Sequence, residues 1–203
     1  MAQSTLERFG SNWGGWTINS SLVRDGDLIL SGGIADDTSF EASMLKRFKV
    51  KFIGIDPTEE AQRHVSKHSG ELRSNFVFLN VAIAGQDCDT FTPCDSRKLY
   101  KSRCLGNLIN DNDFSLIKLD IEGGEYEALE SITDYKNVKQ IAVEFHHWVP
   151  AYGKTISQTY NSISKLKKDG FKLVFHKVNV PERKIQECLF IRSDLTNLPE
   201  VIL

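Results

Sequence analysis

The sequence predicts an α/β fold: a three-layer sandwich in which a mostly parallel sheet lies between helices and is closed by an antiparallel hairpin at its end. Three observations carry this. Short apolar runs of strand length alternate with amphipathic runs of helix length through five units. Each central run stops at glycine or at acidic and histidine residues, as strands do where a doubly wound sheet presents its carboxyl ends to a ligand. Finally, residues 171–178 and 186–192 follow one another around Pro181 to Lys184, the pattern of two strands joined by a turn.

Taken in order, residues 12–18 place Gly14 and Gly15 between Trp13 and Trp16, a turn suited to covering the sheet. Residues 1–26 are therefore read as an N-terminal lid on one domain spanning 1–203. Leu28, Ile29 and Leu30 form the first buried strand, which stops at Ser31-Gly32-Gly33. Thr38 and Glu41 have the spacing of a capping box, and Phe40, Met44, Leu45 and Phe48 share the face of the helix that follows. Phe52 to Ile55 is the second strand. It ends on Asp56, where doubly wound folds hold a carboxylate for ribose hydroxyls. Thr58 then caps a charged helix with early acids, late bases and a terminal Gly70. His64 and His68 lie four apart on it, a spacing open to metal but more simply a solvated face.

Asn75 to Ile83 reads as the third strand, with Asn80 and Val81 toward its carboxyl end, near the adenine in this architecture. Residues 85–113 show no sustained period and read as a long irregular stretch. Arg97, Lys98, Lys101 and Arg103 in it form a solvated loop or an acceptor-binding flap. Leu116 to Leu119 is a strand interrupted by Lys118 and followed by Asp120, Glu122 and a glycine turn. The helix beyond carries Tyr126, Leu129 and Ile132 on one face. Gln140 to Trp148 is a further strand with a polar end, and Ile156, Tyr160, Ile163 and Leu166 mark a helix ended by Gly170.

Composition narrows the function. A chain of 203 residues can bury a substantial core, and its formal charge of −2 without a basic block argues against a surface built to neutralise phosphates. Neither a basic-then-apolar leader nor a long apolar span is present, so a soluble, cytoplasmic protein with a small-molecule or glycan acceptor and no membrane partner is expected. Cys88, Cys94, Cys104 and Cys188 lack paired spacing and are expected as reduced thiols; zinc held by the first three is the alternative.

The first strand turn also speaks to the cofactor. A dinucleotide site needs G-x-G-x-x-G before a helix N-terminus open to pyrophosphate, whereas Asp36 and Asp37 here would repel phosphate. S-adenosylmethionine carries no phosphate and brings an ammonium and a sulfonium, so it suits an acidic turn. Two aspartates that merely complement the helix dipole are the alternative.

Gly14-Gly-Trp16, the stretch Gly32 to Glu41, Ile55 to Thr58, the Lys-x-Asp-x-Glu-Gly-x-Glu run from Lys118 to Glu125, and Val143 to His146 together resemble the FkbM family of S-adenosylmethionine-dependent methyltransferases. That resemblance implies a Rossmann-like class I methyltransferase fold with a seven-stranded sheet. It also implies O-methylation of a hydroxyl, typically of a sugar or polyketide. Ala35 departs from the family's first loop, standing where a glycine is common. Cofactor binding is assigned to Gly32, Gly33, Asp36, Asp56, Asn80, Val81 and Asp120.

Methyl transfer to an alcohol gains from alignment and from a base. Asp120, Glu122, Glu144, His146 and His147 stand at the strand ends, and strand alternation puts Glu144 and His146 on one face. Three arrangements compete. His146 acts as a neutral base with Asp120 and Glu144 organising the acceptor; or Asp120, Glu144 and His146 hold magnesium or manganese; or Lys118 and Glu144 form a buried ion pair. Trp148 and Tyr152 offer flat faces to a sugar ring. A ribose 2-hydroxyl methyltransferase on nucleic acid and a non-catalytic S-adenosylmethionine-binding domain are the other function classes.

Overall fold

The apolar runs become strands where β-branched and aromatic residues alternate or cluster, and helices where the apolar period lengthens. In a computed structural model, residues 5–93, 98–147, 149–180 and 185–203 are described. The strands are β1 (Leu6–Phe9), β2 (Trp16–Asn19), β3 (Leu28–Gly32), β4 (Lys51–Ile55), β5 (Phe76–Leu79), β6 (Ala82–Ala84), β7 (Cys88–Phe91), β8 (Tyr100–Cys104), β9 (Phe114–Leu119), β10 (Gln140–Phe145), β11 (Phe171–Val180) and β12 (Ile185–Arg192). The helices are α1 (Ser39–Leu45), α2 (Glu59–Val65), α3 (Gly70–Ser74), α4 (Leu105–Asp111), α5 (Glu125–Glu130) and α6 (Ile156–Lys168).

Seven strands form the main sheet in the order β11-β12-β10-β9-β3-β4-β5. From β10 to β5 the pairing is parallel, and β12 runs antiparallel to both β10 and β11. The chain leaves the centre through β3, β4 and β5 and returns to it at β9. The order therefore reverses between β3 and β9, where Gly32 pairs with Leu119. Ligands bind beyond the carboxyl ends of strands at such a reversal.

Helices α4, α5 and α6 cover one face through Leu105, Ile109, Leu129, Ile163 and Leu166. The other face is covered by α1 and by the β1–β2 hairpin, through Phe9, Trp16, Ile18, Phe40 and Met44. Polar bonds fasten that hairpin to the sheet: Asn19 donates its amide to Gln140 Oε1 at 2.9 Å, and the Thr17 amide donates to Glu187 at 3.2 Å.

Several sequence expectations change in detail. Thr38 precedes α1 but makes no side-chain cap; its hydroxyl meets His64 Nε2 and His68 Nε2 at 2.9 and 3.2 Å, while Glu41 is buried against Ser31. The expected capping box is therefore absent, because Glu41 sits on the core face of its helix. The helix capped by Thr58 ends at Val65, and Gly70 opens α3 instead of ending α2. The third strand breaks after Leu79, and Ala82 to Ala84 leaves the main sheet for a small one of order β6-β8-β7. Residues 85–113 thus carry strands and a helix through much of their length. Trp148, Cys94, Arg97 and the Pro181 to Lys184 turn lie outside the described residues.

Candidate active site

The turn after β3 begins with Gly33 at φ +77°, where a Cβ would come within 1.7 Å of the Asp120 carbonyl oxygen. Only glycine lets these two strand ends meet. Ala35 is also left-handed, at φ +46°, so the position that departs from the family's glycine keeps a conformation glycine takes more easily. Asp56 organises the turn. Its Oδ2 accepts the amides of Ile34 and Ala35 at 2.8 and 3.0 Å, and its Oδ1 accepts the Thr58 amide and hydroxyl at 2.8 and 2.6 Å. Four donors fill the acceptor positions of one carboxylate. A ribose hydroxyl reaches Asp56 only by sharing a lone pair or displacing Thr58.

A cleft opens between this turn and the β9 end, lined by Gly33, Ile55, Asp56, Thr58, Ala82, Ile83, Phe91, Tyr100, Asp120 and Glu122 among others. The cofactor residues expected from the sequence divide here. Gly33, Asp56 and Asp120 line the cleft, and Gly32 pairs directly behind it with Leu119. Asp36 is exposed and outside the lining. Its neighbour Asp37 instead ties down the N-terminal segment, accepting from Ser11 Oγ at 2.8 Å and the Ser39 amide at 2.6 Å. Asn80 and Val81 also lie outside the lining, because β5 ends at Leu79 and the chain has turned toward β6; Ala82 and Ile83 supply the wall.

Whether S-adenosylmethionine fits can be read from the donors. Ile55, Ala82, Ile83 and Phe91 give an apolar wall, none of the described lining residues is basic, and Asp120 Oδ1 is buried without a hydrogen-bond partner. A flat base with a cationic end suits that lining better than a phosphate does.

Beneath the cleft floor, the acidic turn after β9 meets the end of β10. His146 is 1% exposed. Its backbone amide and Nδ1 both face Glu125 Oε1, at 2.8 and 3.1 Å, and Glu125 Oε2 accepts the Gly123 amide at 2.9 Å. Nε2 lies 3.6 Å from Asp120 Oδ1, 3.5 Å from Glu122 Oε2 and 3.9 Å from Glu144 Oε2. Burial alone would lower the imidazole pKa. The hydrogen bond and charge of Glu125, joined by Asp120 and Glu122, outweigh burial and raise it to about 10. Burial also raises the Glu122 carboxyl, against the pull of His146. Glu122 stands at φ +51° and accepts the Tyr152 hydroxyl at 2.7 Å. A non-glycine residue held there stores strain of the kind found at functional sites.

These contacts redraw the expected constellation. Asp120, Glu144 and His146 are brought together, but Glu122 is nearer than Glu144 and completes the set of three whose ligand atoms lie within 4.8 Å of one another. His146 is buried with Glu125 on Nδ1 and three carboxylates within 3.9 Å of Nε2, a setting that favours the charged imidazole over the neutral base expected from the sequence. Lys118 does not pair with Glu144; it donates to the Gly33 carbonyl and lies 5.4 Å over the Trp16 ring. His147 faces away, with Nδ1 3.0 Å from Thr159 Oγ1. Glu125, which holds the whole group, reads from the sequence only as the end of a motif. Its signal is a carboxylate directly after paired glycines and one strand away from a histidine.

Elsewhere the candidates resolve simply. Lys98, Lys101 and Arg103 pair with Glu59, Asp89 and Asp87, as a solvated face does. Cys88, Cys104 and Cys188 are free thiols, with Cys88 Sγ on the Thr90 carbonyl and Cys104 Sγ on that of Gly85.

A mostly parallel seven-stranded sheet with its antiparallel pair at one edge, and an acidic cleft at the reversal, defines the Rossmann-like class I methyltransferase fold. The Methyltransferase FkbM domain matches residues 33–173, and the chain belongs to that family of S-adenosylmethionine-dependent methyltransferases. Among solved structures it is similar to the Methanococcus jannaschii fibrillarin pre-rRNA processing protein, at TM-score 0.55 and 15% identity over 85% of this chain and 68% of that one. Aeropyrum pernix fibrillarin with natively bound S-adenosyl-L-methionine gives TM-score 0.50 at 11% identity, covering 83% of this chain and 67% of that one. M. capricolum TrmK, in complex with S-adenosyl-homocysteine, gives 0.51 at 9% identity, covering 90% and 68%. Identities this low speak to the fold alone. A search of curated protein sequences found no match. Among the described residues, no helix is long and apolar enough to cross a membrane.

Proposed function

We propose that the chain is an O-methyltransferase that acts on a hydroxyl of a sugar or glycan. The observation that carries this reading is the pair of carboxylates, Asp120 and Glu122, on the cleft wall above the buried imidazole of His146. An alcohol is a poor nucleophile until its proton begins to leave, and a positioned base contributes about 10²- to 10⁴-fold. Glu122, whose affinity for a proton is raised by burial, is suited to take that proton, with Asp120 orienting the hydroxyl. His146 balances the charge of both from below. Glu144, at 3.9 Å, tunes the same group. Carboxylates and a half-buried tyrosine at a cleft rim are also groups that hydrogen-bond polyols.

S-adenosylmethionine, when bound, supplies a methyl group on a sulfonium. Gly33 lets the β3 and β9 ends close on one another beside it, the Ile83 side of the cleft takes an apolar face, and Asp120 and Glu122 are acidic groups on the same lining. Free thiols at Cys88, Cys104 and Cys188 fit a reducing, cytoplasmic setting.

The compact donor set of Asp120, Glu122 and His146 favours a second reading, in which magnesium or manganese replaces the imidazolium charge and lowers the pKa of the acceptor hydroxyl. One assay separates the readings: labelled S-adenosylmethionine is incubated with glycans, nucleotide sugars, small hydroxylated metabolites and RNA, with and without chelator. Transfer to a sugar that survives excess EDTA supports the carboxylate reading, and loss restored by magnesium or manganese supports the metal. Transfer confined to RNA would replace the glycan acceptor by a ribose hydroxyl. Cofactor binding without transfer to any acceptor would leave a binding domain.

A further inference from the structure

Lys118 is a buried cation in a central strand, between β3 and β10, and the chemistry proposed above does not use it. Burying an ammonium is costly unless it is paired, and an apolar side chain of similar length would suit the sheet interior better. Its surroundings show what holds it. The Trp16 ring faces the ammonium at 5.4 Å. Ser31, its register partner on β3, donates to Oε1 of the buried Glu41, whose Oε2 has no hydrogen-bond partner. The hydrogen bond that the ammonium itself makes is to the Gly33 carbonyl.

That carbonyl belongs to the same peptide group as the Ile34 amide, which donates to Asp56 Oδ2 at 2.8 Å. One peptide plane is thus gripped at its C=O end by a cation and at its N–H end by an anion, in the sense of its own dipole. A flipped peptide would set the carbonyl against Asp56 and the amide against Lys118. The turn needs such a grip, since both Gly33 and Ala35 are left-handed, at φ +77° and +46°.

We propose that Lys118 is a positioning residue that, together with Asp56, locks the Gly33–Ile34 peptide and so fixes the turn on which the cofactor rests. The link to the cofactor rests on the reading of that turn as the S-adenosylmethionine site; the lock itself does not. Lys118 touches no reacting atom in this assignment. It acts through the backbone, from the core side of the sheet. Asp56 completes the lock from the cleft side, which explains why its carboxylate is filled by protein donors.

The test uses the double variant Lys118→Met with Glu41→Gln, because Lys118→Met alone strands a buried carboxylate and endangers folding. Amide hydrogen exchange of the ligand-free protein and calorimetry with S-adenosylhomocysteine are measured on the full chain. We expect the folded double variant to exchange the Ile34 and Ala35 amides at least about tenfold faster, with β10 amides unchanged, and to bind S-adenosylhomocysteine about tenfold more weakly, the scale of one lost charged hydrogen bond. Asp56→Asn, at the other end of the same peptide and leaving Lys118 and Glu41 in place, should accelerate the same two amides. Unchanged protection of Ile34 and Ala35 in a folded Lys118 variant overturns the lock, as would faster exchange spread evenly over the sheet. Should the parent protein bind no S-adenosylhomocysteine, the cofactor reading fails alone and the exchange data still decide the lock.

Discussion

Two turns meet at the sheet reversal, and they are built on opposite terms. The turn after β3 has its polar groups satisfied: Asp56 takes four donors, and the Gly33 carbonyl is held by Lys118. The turn after β9 concentrates charge that the protein leaves partly unmatched. Asp120 Oδ1 is buried without a hydrogen bond, Glu122 is strained at φ +51°, and three carboxylates approach a single imidazole nitrogen. A saturated turn resists movement and suits a cofactor that binds the same way each cycle. An unsaturated one stores electrostatic free energy that an incoming group can release, which is the condition for a reacting site.

The comparison breaks most visibly at His146. Replacing it by alanine removes the group that holds Asp120, Glu122 and Glu144 together, and turnover on the true acceptor should fall by about two to three orders of magnitude, the scale of losing one preorganised electrostatic group. Cofactor affinity should hardly change, since Gly33 and Asp56 are untouched. Unaltered turnover would mean that Asp120 and Glu122 work without the imidazole beneath them. Titration sharpens the point. With its pKa raised from 6.5 to about 10, charged His146 contributes stability that is fully present below about pH 6.5 and is lost as pH rises toward 10. Thermal melts of the metal-free protein across that range should therefore show a decline that is shallower in His146→Gln. A pH–rate profile rising near 6.5 would instead mark a neutral histidine base.

Next in size is Glu125→Ala. It leaves the Gly123 and His146 amides and the imidazole without their shared acceptor in a fully buried place, and breaking such a pair costs about 3–5 kcal/mol. Denaturant unfolding measures this directly. A loss below about 1 kcal/mol would mean that the acidic turn does not depend on that carboxylate.

How far such assignments can be made from the sequence differs between the two turns for a physical reason. The strand, glycine and aspartate of the first turn are local signals: an apolar run, a residue permitting positive φ, and a carboxylate one strand on. Leu28 to Gly33 and Phe52 to Asp56 are accordingly legible directly. The second turn is made by how Asp120, Glu122 and Glu125 are buried and aimed at His146, which no local pattern encodes, so its members are visible as a polar set but not their roles. Glu125 looks like an ordinary first-turn helix acid, and nothing local reveals that it is fully buried beneath His146. The small sheet of β6, β7 and β8 escapes for another reason. Cys88 to Phe91 and Tyr100 to Cys104 carry exposed charged residues such as Asp89 and Lys101, and strands that short give too few alternations to stand out from a loop.

On the saturated side, Asp56→Ala should weaken S-adenosylmethionine binding by roughly 1.5–3 kcal/mol, whether the lost bond is to ribose or to the turn amides. Calorimetry gives the affinity, and binding as tight as the parent's would show that the turn keeps its shape without its anion.

The smallest effect is expected at Tyr152, and it tests whether the acidic turn is held at its rim as well as from below. The hydroxyl donates to Glu122 Oε2 at 2.7 Å, while the residue packs so closely on Gly123 that a Cβ added there would come within 3.0 Å of the tyrosine Cβ. Tyr152→Phe keeps the ring and removes only the donor, so thermal stability should stay nearly unchanged. Glu122 is about half exposed, and water can replace much of the lost bond. What water does not replace is direction. With φ at +51°, Glu122 depends on neighbours to stay aimed at the cleft, and a looser carboxylate should lower turnover by a few-fold, corresponding to ~0.5–1 kcal/mol. The effect belongs in kcat, with the cofactor KM unchanged, because the donor faces the acceptor side. A loss confined to cofactor KM would place Tyr152 with the saturated turn and undo the division between the two.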